Sequence, residues 1–378
     1  SGSVVHDLSH VRPFDPAGVA PADAALGTRL AEALRRRPAI LGVLDEGCMG
    51  MFNAIIPDHL LHRASAFKER LSQSELVYRM GLVRDDEARG VYEWLRARGM
   101  RFDLGTDPKT ELVESHVIEQ CRMYIAAARL AEMHDLDAIG IQYQLGLTNV
   151  CAASDLAEGL LNCSDRPPVT GASGEVIRPG RAIAHFNEVD ECAGLDAVLI
   201  ERVWTELGMP TDNTLHDLRW ADEDASGTTD AMVWVLEISG AVPPSHLDGG
   251  YEGSVSERQP PMYFAHGGGS IKGVSKPGLV VWSRIFVAND ALHMDIGLLD
   301  AIRLPEAESQ RRWQSTTPAW PIMHAVFRGV SRDQMMARHR SNHIQVVYVP
   351  DDATASRAID VKAALADDLG IAVWRCGI

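Results

Sequence analysis

Hydrophobic and polar positions divide the chain into two textures. Residues 22–37, ADAALGTRLAEALRRR, are rich in helix-favouring Ala and Leu and lead into the apolar run AILGVL (39–44), which reads as a buried strand. Two long helical patterns follow, at 74–100 and 110–135. In the second, Leu112, Val117, Cys121, Ile125, Ala128 and Leu130 give an apolar face at helical spacing. Strand-like AIGIQYQL (138–145) comes next, then a helix around ASDLAEGLLN (153–162). Helices alternating with strands predict a parallel sheet with crossover connections.

The texture changes after about residue 165. SDRPPVTGASGEVIRPG (164–180) is a Pro/Gly/Ser-rich connection of the kind found at boundaries. Beyond it AMVWVLEISG, GLVVWSRIFV, ALHMDIGLLDAIRL and HIQVVYVP are short β-rich runs separated by Gly and Pro. Helix returns around SRAIDVKAALADDL, and GIAVWRC closes the chain as a strand. The expectation is an α/β fold in two domains. A parallel-sheet, Rossmann-like unit spans 1–180, and a β-rich, barrel-like unit spans 181–378.

With 378 residues, two domains are the default. A formal net charge of -16 argues against nucleic acid or an anionic membrane as the main partner and favours a small neutral or cationic ligand, or a metal ion held by carboxylates. The six cysteines are scattered without a CxxC pair, which speaks against structural zinc and a disulfide framework and predicts reduced thiols in a cytoplasm. No apolar run approaches the length of a membrane helix.

The turn leaving the first strand, LDEGCMGMFNAIIPD (44–58), carries more than a connection needs. Ligands in open α/β sheets sit outside the carboxyl ends of the strands, so the stretch reads as the floor of a site. Acid and imidazole candidates fall in three further places. Glu158 lies in SDLAEGLLN; HFNEVDECAG holds Glu188, Asp190 and Glu191; and ARHRSNHIQVVYV holds His339 and His343 before a strand. Two carboxylates and one imidazole, completed by water or substrate oxygens, suit a hard cation such as Mn²⁺ or Mg²⁺ better than zinc. Against this stands a plainer reading, with Glu158 on a solvated helix face, Asp190 in a turn and His343 a hydrogen-bonded structural histidine. AHGGGSIKG (265–273) lacks the phosphate-loop pattern and reads as a hairpin or a substrate-side loop.

The stretches DEGCMGMFNAIIPD, AEGLLN, FNEVDECAG and RSNHIQ, in this order, resemble the L-fucose isomerase family of metal-dependent aldose–ketose isomerases. The resemblance runs along most of the chain and implies Mn²⁺, with Mg²⁺ as substitute, bound by Glu158, Asp190 and His343, the two carboxylates also serving proton transfer. It adds Met49, Asn342, Trp320 from TPAWP and Tyr263 from MYFAHGGG to the substrate cleft; position at a strand end adds Gln142 and Gln144. It implies 1–180 as the middle domain, 181–378 as the C-terminal domain completing the metal site, and a homo-oligomer, trimer or hexamer. The family's first α/β domain has no counterpart here, which makes a missing N-terminal domain or second chain a further expectation. Reactions through the same ene-diolate (epimerase or lyase) and a non-catalytic sugar-binding subunit are the alternatives.

Overall fold

A computed structural model describes residues 6–47 and 50–378. The elements run β1 (Val11–Pro13), α1 (Pro21–Arg36), β2 (Ala39–Leu44), α2 (Asp58–Arg63), β3 (Ala66–Leu71), α3 (Gln73–Leu82), α4 (Asp85–Ala97), β4 (Arg101–Phe102), α5 (Glu114–Met133) and β5 (Ala138–Ile141). They continue with α6 (Asp155–Leu161), β6 (Ala184–His185), α7 (Glu191–Glu206), β7 (Asn213–Asp222), β8 (Val233–Glu237), β9 (Val255–Ser256), β10 (Gly278–Ala288) and β11 (Ala291–Ala301). The last are α8 (Glu306–Gln314), β12 (Ile322–Phe327), α9 (Arg332–Arg338), β13 (His343–Val349), α10 (Asp352–Asp368) and β14 (Ala372–Cys376).

The apolar runs of the first half build a four-stranded parallel sheet in the order β3-β2-β5-β6. AILGVL is its buried second strand, whereas β3 carries Lys68, Glu69 and Arg70 at an edge, where charge discourages further pairing. The sheet passes the 180/181 boundary, because β6 is its fourth strand. The long pattern at 74–100 is two helices rather than one. Glu87 accepts from the Arg84 backbone N–H (3.1 Å), and Asp85, Asp86 and Glu87 crowd the first turn of α4, so the sequence starts a new helix there.

In the second half β11-β10-β13-β7-β8-β12 form a sheet that closes through β12–β11 pairing into a six-stranded antiparallel barrel. The same edge of β11 that meets β12 at 299–301 takes β14 in parallel at 293–297, and β1 adds antiparallel to β14. One face of the barrel strands, with Trp234, Leu236, Val280, Trp282, Leu299, Met323, Ala325, Ile344 and Val346, packs into its own apolar core. The tryptophan-bearing runs are therefore core strands. The opposite face, with Leu215, Val281, Ile285 and Val347, joins the main core shared with α7 and the parallel sheet. The chain's two ends are interleaved: β1 extends the sheet of the second half, and α10 packs along α1. No helix of the described residues is long and apolar enough to cross a membrane.

The β7–β8 end of the barrel is tied to α8 by a buried guanidinium. Arg312 donates to the carbonyls of Val233 (3.0 Å) and Glu223 (2.8 Å), and Glu308 accepts from Arg311 and Arg312 at 2.7 Å each. The Arg311 hydrogen bond, aided by Arg312 and opposed by burial, holds the Glu308 carboxyl at about 2. A depressed carboxyl contributes stability above its unfolded value and loses it as pH falls through the folded one. Glu308→Gln is thus expected to cost about 2–3 kcal/mol in urea unfolding at neutral pH, a gap that closes between about pH 4 and pH 2.

Candidate functional site

The described residues bring three distant segments together at the seam between the parallel sheet and the outer face of the barrel. Glu158, Asp190 and His343 are 3%, 0% and 2% exposed, which removes the solvated-face reading of Glu158. Burial of α6 depends on Gly159, where an added Cβ would stand 2.7 Å from the Val242 carbonyl oxygen. This close approach turns Asp155 and Glu158, three residues apart on α6, inward.

Glu158 is bonded through Oε2 to the Asn187 amide, and His185 Nδ1 lies 3.7 Å from the same oxygen. His185 Nε2 accepts from the Ile141 N–H (3.2 Å), which puts the ring proton on the nitrogen facing Glu158, and burial keeps this imidazole neutral. Glu188 and Val189 both occupy left-handed backbone (φ 56° and 52°), a costly conformation for these residue types and one concentrated at functional sites. Gln142 pins this turn from the end of β5, its amide donating to the carbonyls of Glu188 (3.0 Å) and Gly47 (3.3 Å). That role also ends the expected 138–145 strand at Ile141.

Asp190 caps α7, accepting from the Ala193 N–H at 3.0 Å through Oδ1. Its Oδ2 accepts from Arg284 Nη1 (2.6 Å) and His343 Nδ1 (2.7 Å). Burial alone would raise this carboxyl, but Arg284 and the His343 bond overcome it and hold it well below the usual range. His343 Nε2 faces Asp217 Oδ1 (3.1 Å) and Glu188 Oε2 (3.7 Å), with Asn342 Nδ2 at 3.3 Å. Burial opposes charge on His343, yet its bonds to Asp190 and Asp217 raise it to about 10. Burial also pushes Asp155 up to about 8 and Glu188 to about 7, and raises Glu158 well above the usual carboxylate range, with Asp155 and Glu188 adding repulsion on Glu158.

The remaining expected residues fall in different places. Trp320 donates through Nε1 to Gln259 Oε1 (2.8 Å) and lies under the Arg219 guanidinium, 5.6 Å from the ring centre. Asn342 Nδ2 donates to Met51 Sδ (2.9 Å) and lies 3.3 Å from His343 Nε2. Gln144 is half-buried in the turn after β5. Tyr263 has an exposed ring, and among the described residues its only side-chain partner is Thr148, on its carbonyl. Met49 lies outside the described residues. The described residues that follow it approach the site: Asn53 donates to the Arg340 carbonyl (2.7 Å), and Glu191 anchors the segment by accepting from the Ile56 N–H (2.7 Å) and Lys68 Nζ (2.7 Å). Gly47 and Gly50, at φ 110° and 83°, supply the left-handed turns it needs.

Sequence reasoning missed Asp155, Asp217, Arg219, Glu237 and Arg284. A signal existed for two of them: Glu237 ends the apolar VWVLE, and Arg284 interrupts VVWSRIFV, and a charge inside an apolar strand is rarely buried without a partner.

A divalent cation can be tested against these donors. Among the described residues no three His, Cys, Asp or Glu side chains stand ready as a metal cage. In kind they fit: hard carboxylate oxygens from the 187–190 turn and β7 meet at one imidazole, Glu158 of α6 joins the turn through Asn187, and burial, reinforced by neighbouring carboxylates, drives Glu158 and Glu188 toward protonation. Comparison with protein-family models and with curated proteins finds no match to this chain.

Proposed function

We propose that this seam is the active site of a metal-dependent aldose–ketose isomerase of the L-fucose isomerase type. The observation that carries the reading is the His343–Asp190 contact at 2.7 Å, formed across 153 residues by two of the motifs that resemble the family, with Glu158 from a third joined through Asn187. The parallel pairing of β3, β2, β5 and β6 through crossover connections supports reading the first unit as Rossmann-like in the broad, doubly wound sense, with the site beyond the carboxyl ends of its strands.

Glu158, Asp190 and His343 would hold Mn²⁺ or Mg²⁺, which when bound supplies Lewis acidity for charge developing on the sugar oxygens. The chain's own residues divide the remaining work. Asp190, kept ionised by Arg284 and His343 and fixed by the Ala193 N–H, supplies the negative charge such a cation needs. Proton transfer then falls to Glu158, with Glu188 beside it. A carboxylate takes the proton from C2 and returns it to C1, while the hydroxyl proton passes from O2 to O1. Trp320 gives a flat apolar wall for the carbon chain.

The test is proton NMR of the chain with Mn²⁺ in D₂O, with L-fucose and D-arabinose first among a panel of aldoses. Ketose carrying deuterium at the transferred position is the expected result. A single product epimeric at C2, or no exchange with metal bound, rules the isomerase out.

A further inference from the structure

Three strands carry polar side chains across the seam in one register. His343 on β13 pairs with Asp217 on β7, Asp217 pairs with Glu237 on β8, and Glu237 pairs with Ile322 on β12, two residues beyond Trp320. Neighbouring strands are about 4.8 Å apart, so the row places Glu237 roughly 10 Å from His343, on the same face. Asp217 and Glu237 are like charges placed directly opposite one another, an arrangement that destabilises a sheet unless it is bridged.

The bridge is Arg219. The β7–β8 register shifts between Leu218 and Trp220, leaving Arg219 as the extra residue of a bulge, a device that re-aims a side chain. Its guanidinium reaches Asp217 Oδ2 and Glu237 Oε2 at 3.3 Å each, and it stacks over Trp320. A structural ion pair would end there, yet Glu237 is fully buried with its second oxygen, Oε1, lacking any hydrogen-bond partner. Its Oε2 also takes the Thr316 hydroxyl, so the unpartnered oxygen is held in place. Two carboxylates and one guanidinium beside an indole offer acceptors, donors and a flat apolar wall together. This is the chemistry that recognises a run of hydroxyl groups on a short carbon chain.

We propose that Glu237 and Arg219, walled by Trp320, form the subsite for the hydroxyl-bearing tail of an open-chain sugar whose reacting end lies at His343. They would thereby set the chain length the enzyme prefers. This rests on the isomerase reading for the placement of the reacting end. A sugar too short to span the row gains nothing from these residues, whereas a pentose or hexose loses a hydrogen bond to a buried carboxylate when Glu237 is changed.

The test measures calorimetric binding of erythritol, arabinitol and fucitol to the full chain with Mn²⁺, beside turnover of the corresponding aldoses. Glu237→Gln and Arg219→Met are expected to weaken arabinitol and fucitol about tenfold, equal to about 1.4 kcal/mol, and to weaken erythritol by no more than about twofold. An equal loss at every length, or no loss, overturns the subsite even where aldoses are converted. The length-dependent loss without conversion of any aldose keeps the subsite and overturns the isomerase. Failure of the unaltered chain to bind any of these polyols overturns both. Arg219→Lys retains the charge but not the fork, and is expected to recover only part of the loss.

Discussion

Glu158→Gln is expected to lower kcat/KM for aldose conversion by at least about a thousandfold while leaving the metal-free chain no less stable. The two halves of this result have one cause. Glu158 is buried beside Asp155 and Glu188, and burial with their repulsion raises its carboxyl far above the usual range. A carboxyl raised in the folded state keeps a proton that the unfolded chain has given up. It therefore costs stability as pH climbs from the unfolded value, about 4.3, toward the folded one. Gln has the same shape, keeps an oxygen for Asn187, and removes that cost. Urea unfolding in chelator at about pH 4 and pH 7 should show the variant level with the unaltered chain at the lower value and level or ahead at the higher. A large loss of stability at both would make Glu158 a structural residue.

Lys362→Met should be the most destabilising single change away from the site, about 3–5 kcal/mol in urea unfolding. Lys362 on α10 is fully buried, bonded to Asp196 on α7 and to Ser283 Oγ on β10 (2.6 Å). Lys362 bonds Asp196 through Oδ1 and Oδ2 has no hydrogen-bond partner, so removing the ammonium leaves a buried carboxylate without a bonded cation to offset its lost hydration. Pairing the change with Asp196→Leu should restore most of the loss, because the penalty belongs to the unpaired charge and not to the missing contact. If the double variant is as unstable as the single one, the ion pair is not what binds α10 to the barrel. The pair also borders the site, since Ser283 precedes Arg284, which holds Asp190.

Local signals in the sequence reported local structure well. AILGVL is a strand because its six residues are apolar and β-compatible, and the break at Val83–Arg84 was written in the acids that open α4. Pairings across the whole chain left no such trace. Nothing in VRP at 11–13 announces β14 as its partner, and the closure of β12 on β11 depends on the twist of six strands together. The site divides the same way. Glu158, Asp190 and His343 stand on a helix, a capping turn and a strand start, where their chemistry is visible in short motifs. Asp217 becomes a neighbour of His343, and Arg219 of Asp217 and Glu237, only through strand register and one bulge, quantities fixed by the assembled sheet. Tyr263, which the family resemblance adds to the cleft together with Trp320, is exposed, its turn held through the Tyr263 carbonyl and not the ring.

The interleaving of the chain's ends has a consequence for synthesis. The α/β elements emerge from the ribosome first, but α1 cannot bury the face that meets α10, nor β1 find β14, until residues 352–376 are made. Until then the nascent chain carries an uncovered apolar face on α1 and an unpaired β1. Residues 352–376 act as a clasp, and a ribosome stalled before them would display a surface suited to capture by a chaperone.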